Sequence, residues 1–246
     1  MHPGVSRTIV QPSHAVIAPD NTTTAALPDW ERSVGTVQVS PAMGAHFMQY
    51  CVAMEPGGIS GPTRPWVERF VYGLEGEVFA ELGEGVMNIH AGDYMYVPPE
   101  QAHKIQARAS SRLLVFEHNY YTLAGVEPPE PHFGRASNAP AKPLMGDHDV
   151  FKQTLLPPTS HFDMAVNIYS LYPGSTLPRV TAKPSDRGIL ILDGDGIARI
   201  GDTWSPVTAG DAMWAKAHCP FWFAAVGKAP TRYLQFETTN REPIEP

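Results

Sequence analysis

The chain has 246 residues, 43% hydrophobic and 17% charged, with 18 Lys and Arg against 25 Asp and Glu for a formal net charge of −7. That composition describes a globular chain, not a disordered one, and its acidic balance argues against a broad nucleic-acid surface. No run of about 20 apolar residues suggests a membrane span, Met1 to Val10 lacks a signal-peptide layout, and Cys51 and Cys219 form no framework or ligand spacing, so a cytoplasmic protein with reduced thiols is expected.

Residues 1–35 read as an extended arm, with short strands at Thr8-Ile9-Val10 and Ala15-Val16-Ile17 and a turn with an aromatic anchor at Leu27-Pro28-Asp29-Trp30. From Thr36 onward strand signals recur every 8 to 12 residues: Phe47 to Met54, Arg69 to Leu74, Glu77 to Leu82, Gly85 to Ile89, Tyr94 to Val97 and Arg112 to Phe116. Residues 36–125 form a first domain. Residues 126–150, with Pro128, Pro129, Pro131, Pro140 and Pro143, read as a linker. A second domain over 151–241 repeats the rhythm at Val166 to Tyr172, Gly188 to Leu192, Gly196 to Ile200, Ala212 to Trp214, Phe221 to Val226 and Arg232 to Phe236, before a loose tail at 242–246. No segment has a sustained helical period, so the chain is nearly all β, a sandwich or barrel.

The rhythm is an internal duplication. Pro56-Gly57, the strand closing on Gly76 and the turn Gly92-Asp93 recur as Pro173-Gly174, Gly194 and Gly210-Asp211; Gly76 to Gly194 and Gly92 to Gly210 are both offset by 118 residues. These landmarks resemble the cupin superfamily, and two in tandem make a bicupin: two small double-stranded β-helix barrels related by pseudo-twofold symmetry. Further stretches, in order, resemble the (S)-ureidoglycine aminohydrolase family, also called glyoxylate-induced proteins. They include Pro41 to Phe47, Val67-Glu68-Arg69-Phe70, Leu155-Leu156-Pro157, Phe162-Asp163-Met164, Trp204-Ser205-Pro206-Val207, and Tyr233-Leu234 through Asn240-Arg241.

This resemblance implies a homo-oligomeric enzyme of purine (allantoin) breakdown that hydrolyses (S)-ureidoglycine to (S)-ureidoglycolate and ammonia, with manganese in the second barrel on a Glu, two His and a Gln. Those positions are here Thr181, Lys183, Arg187 and Phe221, and the Lys that the family carries near its C-terminus is Glu237. Manganese favours imidazole, carboxylate or amide oxygen, and water. A Lys or Arg charge about 4 Å from a dication, at an effective dielectric near 20, costs roughly 8 kcal/mol, and Arg does not shed its proton. No metal or other cofactor is therefore expected, and the activity is expected to be lost or altered.

Two readings of the second barrel stay open. Arg179, Thr181 and Lys183 alternate along one strand face and with Arg187 can form a pocket for a small organic acid or ureido compound. Alternatively, Arg187 pairs with Asp186, Glu237 or another acid as a structural ion pair. In the first barrel the corresponding positions are Thr63, Pro65 and Arg69, with His103 at the place of a later ligand and Glu68 beside Arg69 at the mouth. One imidazole makes no metal site, and His103 reads either as a relic ligand or as a strand-end histidine satisfied by a backbone carbonyl. His218 is an alternative ligand only if the register shifts. Trp66, Trp204, Trp214 and Trp222 read as core or interface aromatics. An oligomeric scaffold with neither ligand nor activity is the remaining alternative.

Overall fold

A computed structural model describes residues 7–83 and 85–239. The expected tail at 242–246 and the pair Asn240-Arg241 lie outside the described residues. The fold is all-β and built of two curled barrels, and among the described residues no helix is long and apolar enough to cross a membrane.

The first barrel's sheet runs, in spatial order, His132–Arg135, Asp93–Val97, Val67–Glu75, Ser111–Asn119, Phe47–Ile59, His103–Ala107, Glu77–Leu82 and Gly85–His90. Glu31–Val39 adds to Phe47–Ile59. The second barrel has an eight-stranded sheet ordered Ile9–Gln11, His14–Ile17, Ala212–Ala215, Arg187–Asp193, Thr231–Thr238, Met164–Leu171, Asp147–Thr154 and Lys142–Leu144. A smaller sheet of Thr203–Thr208, Asp195–Ile200 and Phe221–Ala225 completes it.

Two strands change sides. His14–Ile17, from the N-terminal arm, pairs with Ala212–Ala215 of the second barrel. His132–Arg135, from the proline-rich segment 126–150, pairs with Asp93–Val97 of the first. That segment therefore holds strands at His132–Arg135 and Lys142–Leu144 despite its prolines. Both are outermost in their sheets, where a missing N–H costs no ladder bond.

The two Gly-Asp turns do the same work. Gly92 and Gly210 adopt φ of 87° and 90°, a conformation that favours glycine. The following carboxylate accepts a backbone N–H of its own turn: Asp93 from His90 at 3.1 Å and Asp211 from Thr208 at 2.8 Å. Each is then held by an arginine near the exchanged strand, Arg135 at 2.6 Å from Asp93 and Arg7 at 2.5 Å from Asp211.

Alternation along the strands divides the apolar residues into three sets. Tyr50, Val52, Val71, Ile105 and Val115 fill the first barrel. Ile189, Ile191, Phe221, Phe223 and Tyr233 fill the second. Phe47, Phe70, Phe116, Trp214, Leu234 and Phe236 belong to the core between them, with Phe116 stacked on Phe236 at 5.0 Å. Gly188 leaves room for the Phe47 ring in this core, because a Cβ there would come within 2.5 Å of it. Of the tryptophans, Trp214 is core. Trp66 and Trp204 are exposed on the single chain, so of the two expected placements the core is excluded for them.

Candidate functional site

The 118-residue offset carries Glu68-Arg69 onto Asp186-Arg187 and His103 onto Phe221. Neighbours on a strand face opposite ways, so each barrel sends an arginine inward and an acid outward. Cross-strand register places Arg69 opposite Glu117 and Arg187 opposite Glu237. From that shared frame the two barrels diverge.

In the first barrel Arg69 is fully satisfied. Its Nε and Nη2 donate to Glu117 Oε1 at 2.8 and 2.6 Å, and its Nη1 donates to the Gly61 carbonyl at 2.9 Å and to His103 Nε2 at 2.7 Å. Tyr50 donates to the same Glu117 oxygen at 2.9 Å, and the Trp30 ring covers the guanidinium at 5.5 Å. The His103 Nδ1–H donates to the Gln101 carbonyl, and burial with the Arg69 charge lowers its pKa to about 4, so the ring is neutral. The ion pair and the aromatic over it thus leave the Arg69 guanidinium with every N–H engaged.

Glu68 does not join Arg69 and His103. It faces the core between the barrels, where its Oε2 accepts from Tyr96 at 2.7 Å and its Oε1 lies 3.1 Å from His118 Nδ1. Asp163 lies 3.9 Å beyond His118 and accepts from the Tyr121 N–H at 2.7 Å and the Thr239 hydroxyl at 2.8 Å. All three side chains are buried, and burial pushes the Glu68 carboxyl upward. Their ligand atoms lie within 4.8 Å of one another, so this Glu-His-Asp group could hold a metal ion. Sequence spacing does not reveal this group, because Glu68 and His118 are 50 residues apart and Asp163 comes from the other half.

In the second barrel Thr181, Lys183, Arg187 and Phe221 converge. The Thr181 and Phe221 backbones bridge, the Arg187 guanidinium lies 5.1 Å over the Phe221 ring, and its Nη1 donates to the Thr181 hydroxyl at 3.3 Å. Arg187 Nη2 donates to the Cys219 carbonyl at 2.5 Å. Asp186 faces away and caps the Ala217 N–H and, across to the first barrel, the His46 N–H. Glu237 is taken by Lys183, whose Nζ is 2.5 and 2.8 Å from its two oxygens, and by the Gln235 amide. Arg187 is 1% exposed, and among the described residues its Nε–H has no partner. Burial also draws its pKa down, a pull that Glu237 opposes.

Thr181, Lys183, Arg187 and Phe221 line a cavity of about 220 Å³, together with Lys152, Arg179, Tyr169, Tyr233 and Gln235. Four cations thus line it, and the nearby Glu237 is held by Lys183 and Gln235. Burial holds both phenols protonated. His218 is exposed, with only its backbone N–H bonded to the Lys183 carbonyl, so no register shift brings it in. The manganese that the resemblance implies does not fit this donor set: the seats hold a hydroxyl, an ammonium, a guanidinium and a phenyl ring.

The family described as "Cupin domain" matches residues 50–117. A probable (S)-ureidoglycine aminohydrolase of Oryza sativa subsp. japonica is 34% identical over 246 residues, covering 98% of this chain and 78% of that protein. The (S)-ureidoglycine aminohydrolase of Arabidopsis thaliana is 33% identical over 244 residues, covering 98% and 81%. A Pseudomonas aeruginosa structure, assigned provisionally as a glyoxylate induced protein, superposes with a TM-score of 0.90 at 25% identity, covering 100% and 96%. The chain belongs to the (S)-ureidoglycine aminohydrolase family of cupin proteins.

Proposed function

We propose that this chain is a family member in which the second barrel receives the carboxylate of a small ureido or organic acid directly on Arg187, without a bound dication, and in which the family's hydrolysis is lost or altered. The observation that carries this reading is the buried Arg187 guanidinium, whose Nε–H has no partner among the described residues, on a cavity lined also by Lys152, Arg179 and Lys183, while the nearby Glu237 is already held by Lys183. A buried unpaired donor on a cation is costly, and a carboxylate is the solute that meets it with charge-assisted hydrogen bonds. The chain is cytoplasmic and self-associating in this reading.

The test measures manganese content, ammonia release from (S)-ureidoglycine, and the thermal shift given by ureidoglycolate or glyoxylate. Stabilisation by the acids, with no manganese and no ammonia, supports the reading. Manganese bound by second-barrel side chains would overturn it. A second reading is favoured by the buried Glu68, His118 and Asp163 group, which could hold a metal between the barrels. Metal that persists in Arg187→Met and disappears in His118→Ala would identify that site.

A further inference from the structure

The cavity of the second barrel contains an amine that anion binding alone does not use. Lys152 stands on the strand Asp147–Thr154, paired with Tyr169, and lines the same space as Arg179, Lys183 and Arg187. Glu237 has both oxygens on Lys183. Among the described residues the Lys152 ammonium makes no hydrogen bond or ion pair.

We infer that Lys152 is a nucleophile that forms an imine with a small α-oxo acid whose carboxylate rests on Arg187. This inference deepens the anion-binding reading and depends on it. Of the cations in the cavity, the arginines cannot give up their charge, and Lys183 is fixed by its carboxylate. Lys152 is the one free to act as a neutral amine. Burial lowers its pKa, partly offset by Glu237 and reinforced by Lys183, which is how a desolvated lysine beside another cation becomes nucleophilic.

The step balances without a further reagent. The ammonium first releases a proton to solvent. The Nζ lone pair then attacks the oxo carbon, and the carbonyl oxygen becomes a hydroxyl as one nitrogen proton moves to it. The C–O bond breaks as the C=N bond forms, and the oxygen leaves as water with the second nitrogen proton. An α-oxo acid suits both ends of the cavity, since its carboxylate meets the guanidinium and its electrophilic carbon is adjacent.

The full chain is incubated with glyoxylate near neutral pH and reduced with borohydride, which traps the imine as carboxymethyl-lysine, and the peptides are mapped by mass spectrometry. Lys152 is expected to be labelled ahead of the exposed Lys104, Lys142 and Lys228. Labelling there should vanish in Lys152→Arg and slow by about tenfold or more in Arg187→Met. Labelling of Lys152 no faster than of the exposed lysines overturns the inference. If ureidoglycolate still raises the Tm of that same protein, imine formation alone fails. If no acid raises it, the anion-binding reading fails too.

Discussion

Lys183 holds both carboxylate oxygens of Glu237 and so takes from Arg187 the partner that cross-strand register assigns to it. In the first barrel the position matching Lys183 is Pro65, which has no charge to offer, and Arg69 keeps Glu117. The same arginine–glutamate frame is thus closed in one barrel and open in the other.

Replacing Arg187 with Met should abolish binding of small carboxylates and leave the fold intact. Wild-type protein at ligand concentrations of 100 times Kd should gain about 2.7 kcal/mol. The variant should gain none, read as the loss of the thermal shift with ureidoglycolate.

Lys183→Met should return Glu237 to Arg187 and make the second barrel resemble the first. Affinity for the acids should fall by about tenfold or more, while unfolding by urea should change by less than about 1 kcal/mol, because Lys183 is half-exposed. Glu237→Gln should do the reverse. It leaves Lys183 without its carboxylate, so the free protein should lose about 1 kcal/mol while its affinity for the acids rises.

His103 makes stability depend on pH in a fixed direction. Its folded pKa, about 4, lies below the ordinary 6.5. The unfolded chain therefore binds the proton first, so this contribution is complete above about pH 6.5 and is lost as pH falls toward 4. Urea denaturation across that window should show the decline. It should be shallower in His103→Gln, whose amide still bonds with Arg69 and the Gln101 carbonyl.

Restoring the ligand types should restore the ion. A variant carrying Thr181→Glu, Lys183→His, Arg187→His and Phe221→Gln, with Glu237→Lys, should hold about one manganese per chain by elemental analysis, against none in the second barrel of the wild type.

Much of this was legible in the sequence because a duplication announces itself through turns. Gly76 and Gly194 have φ of 76° and 80°, and a Cβ on either would strike backbone within 2.8 Å. Their positions therefore fix the strand register, and with it which residues share a barrel. The convergence of Thr181, Lys183, Arg187 and Phe221 follows from that register. Other features depended on contacts between segments far apart in sequence. The Lys183–Glu237 pair spans 54 residues, and local alternation gives no sign of it. Glu68 reads as a neighbour of Arg69 at the barrel mouth, but adjacent strand residues face opposite ways, and its partners Tyr96 and His118 come from Asp93–Val97 and Ser111–Asn119. Thr203–Thr208 is a strand that the sequence rhythm does not include, and its Pro206 is tolerated at the edge of a three-stranded sheet.

The exchanged strands mean that neither half is a self-sufficient unit, however alike the halves look. Splitting the gene between them, or nicking the chain with a protease near Pro128, would leave each product with raw main-chain groups along an unfinished border and an aspartate deprived of its arginine. Such fragments should clump when made alone and recover a folded state only when made together.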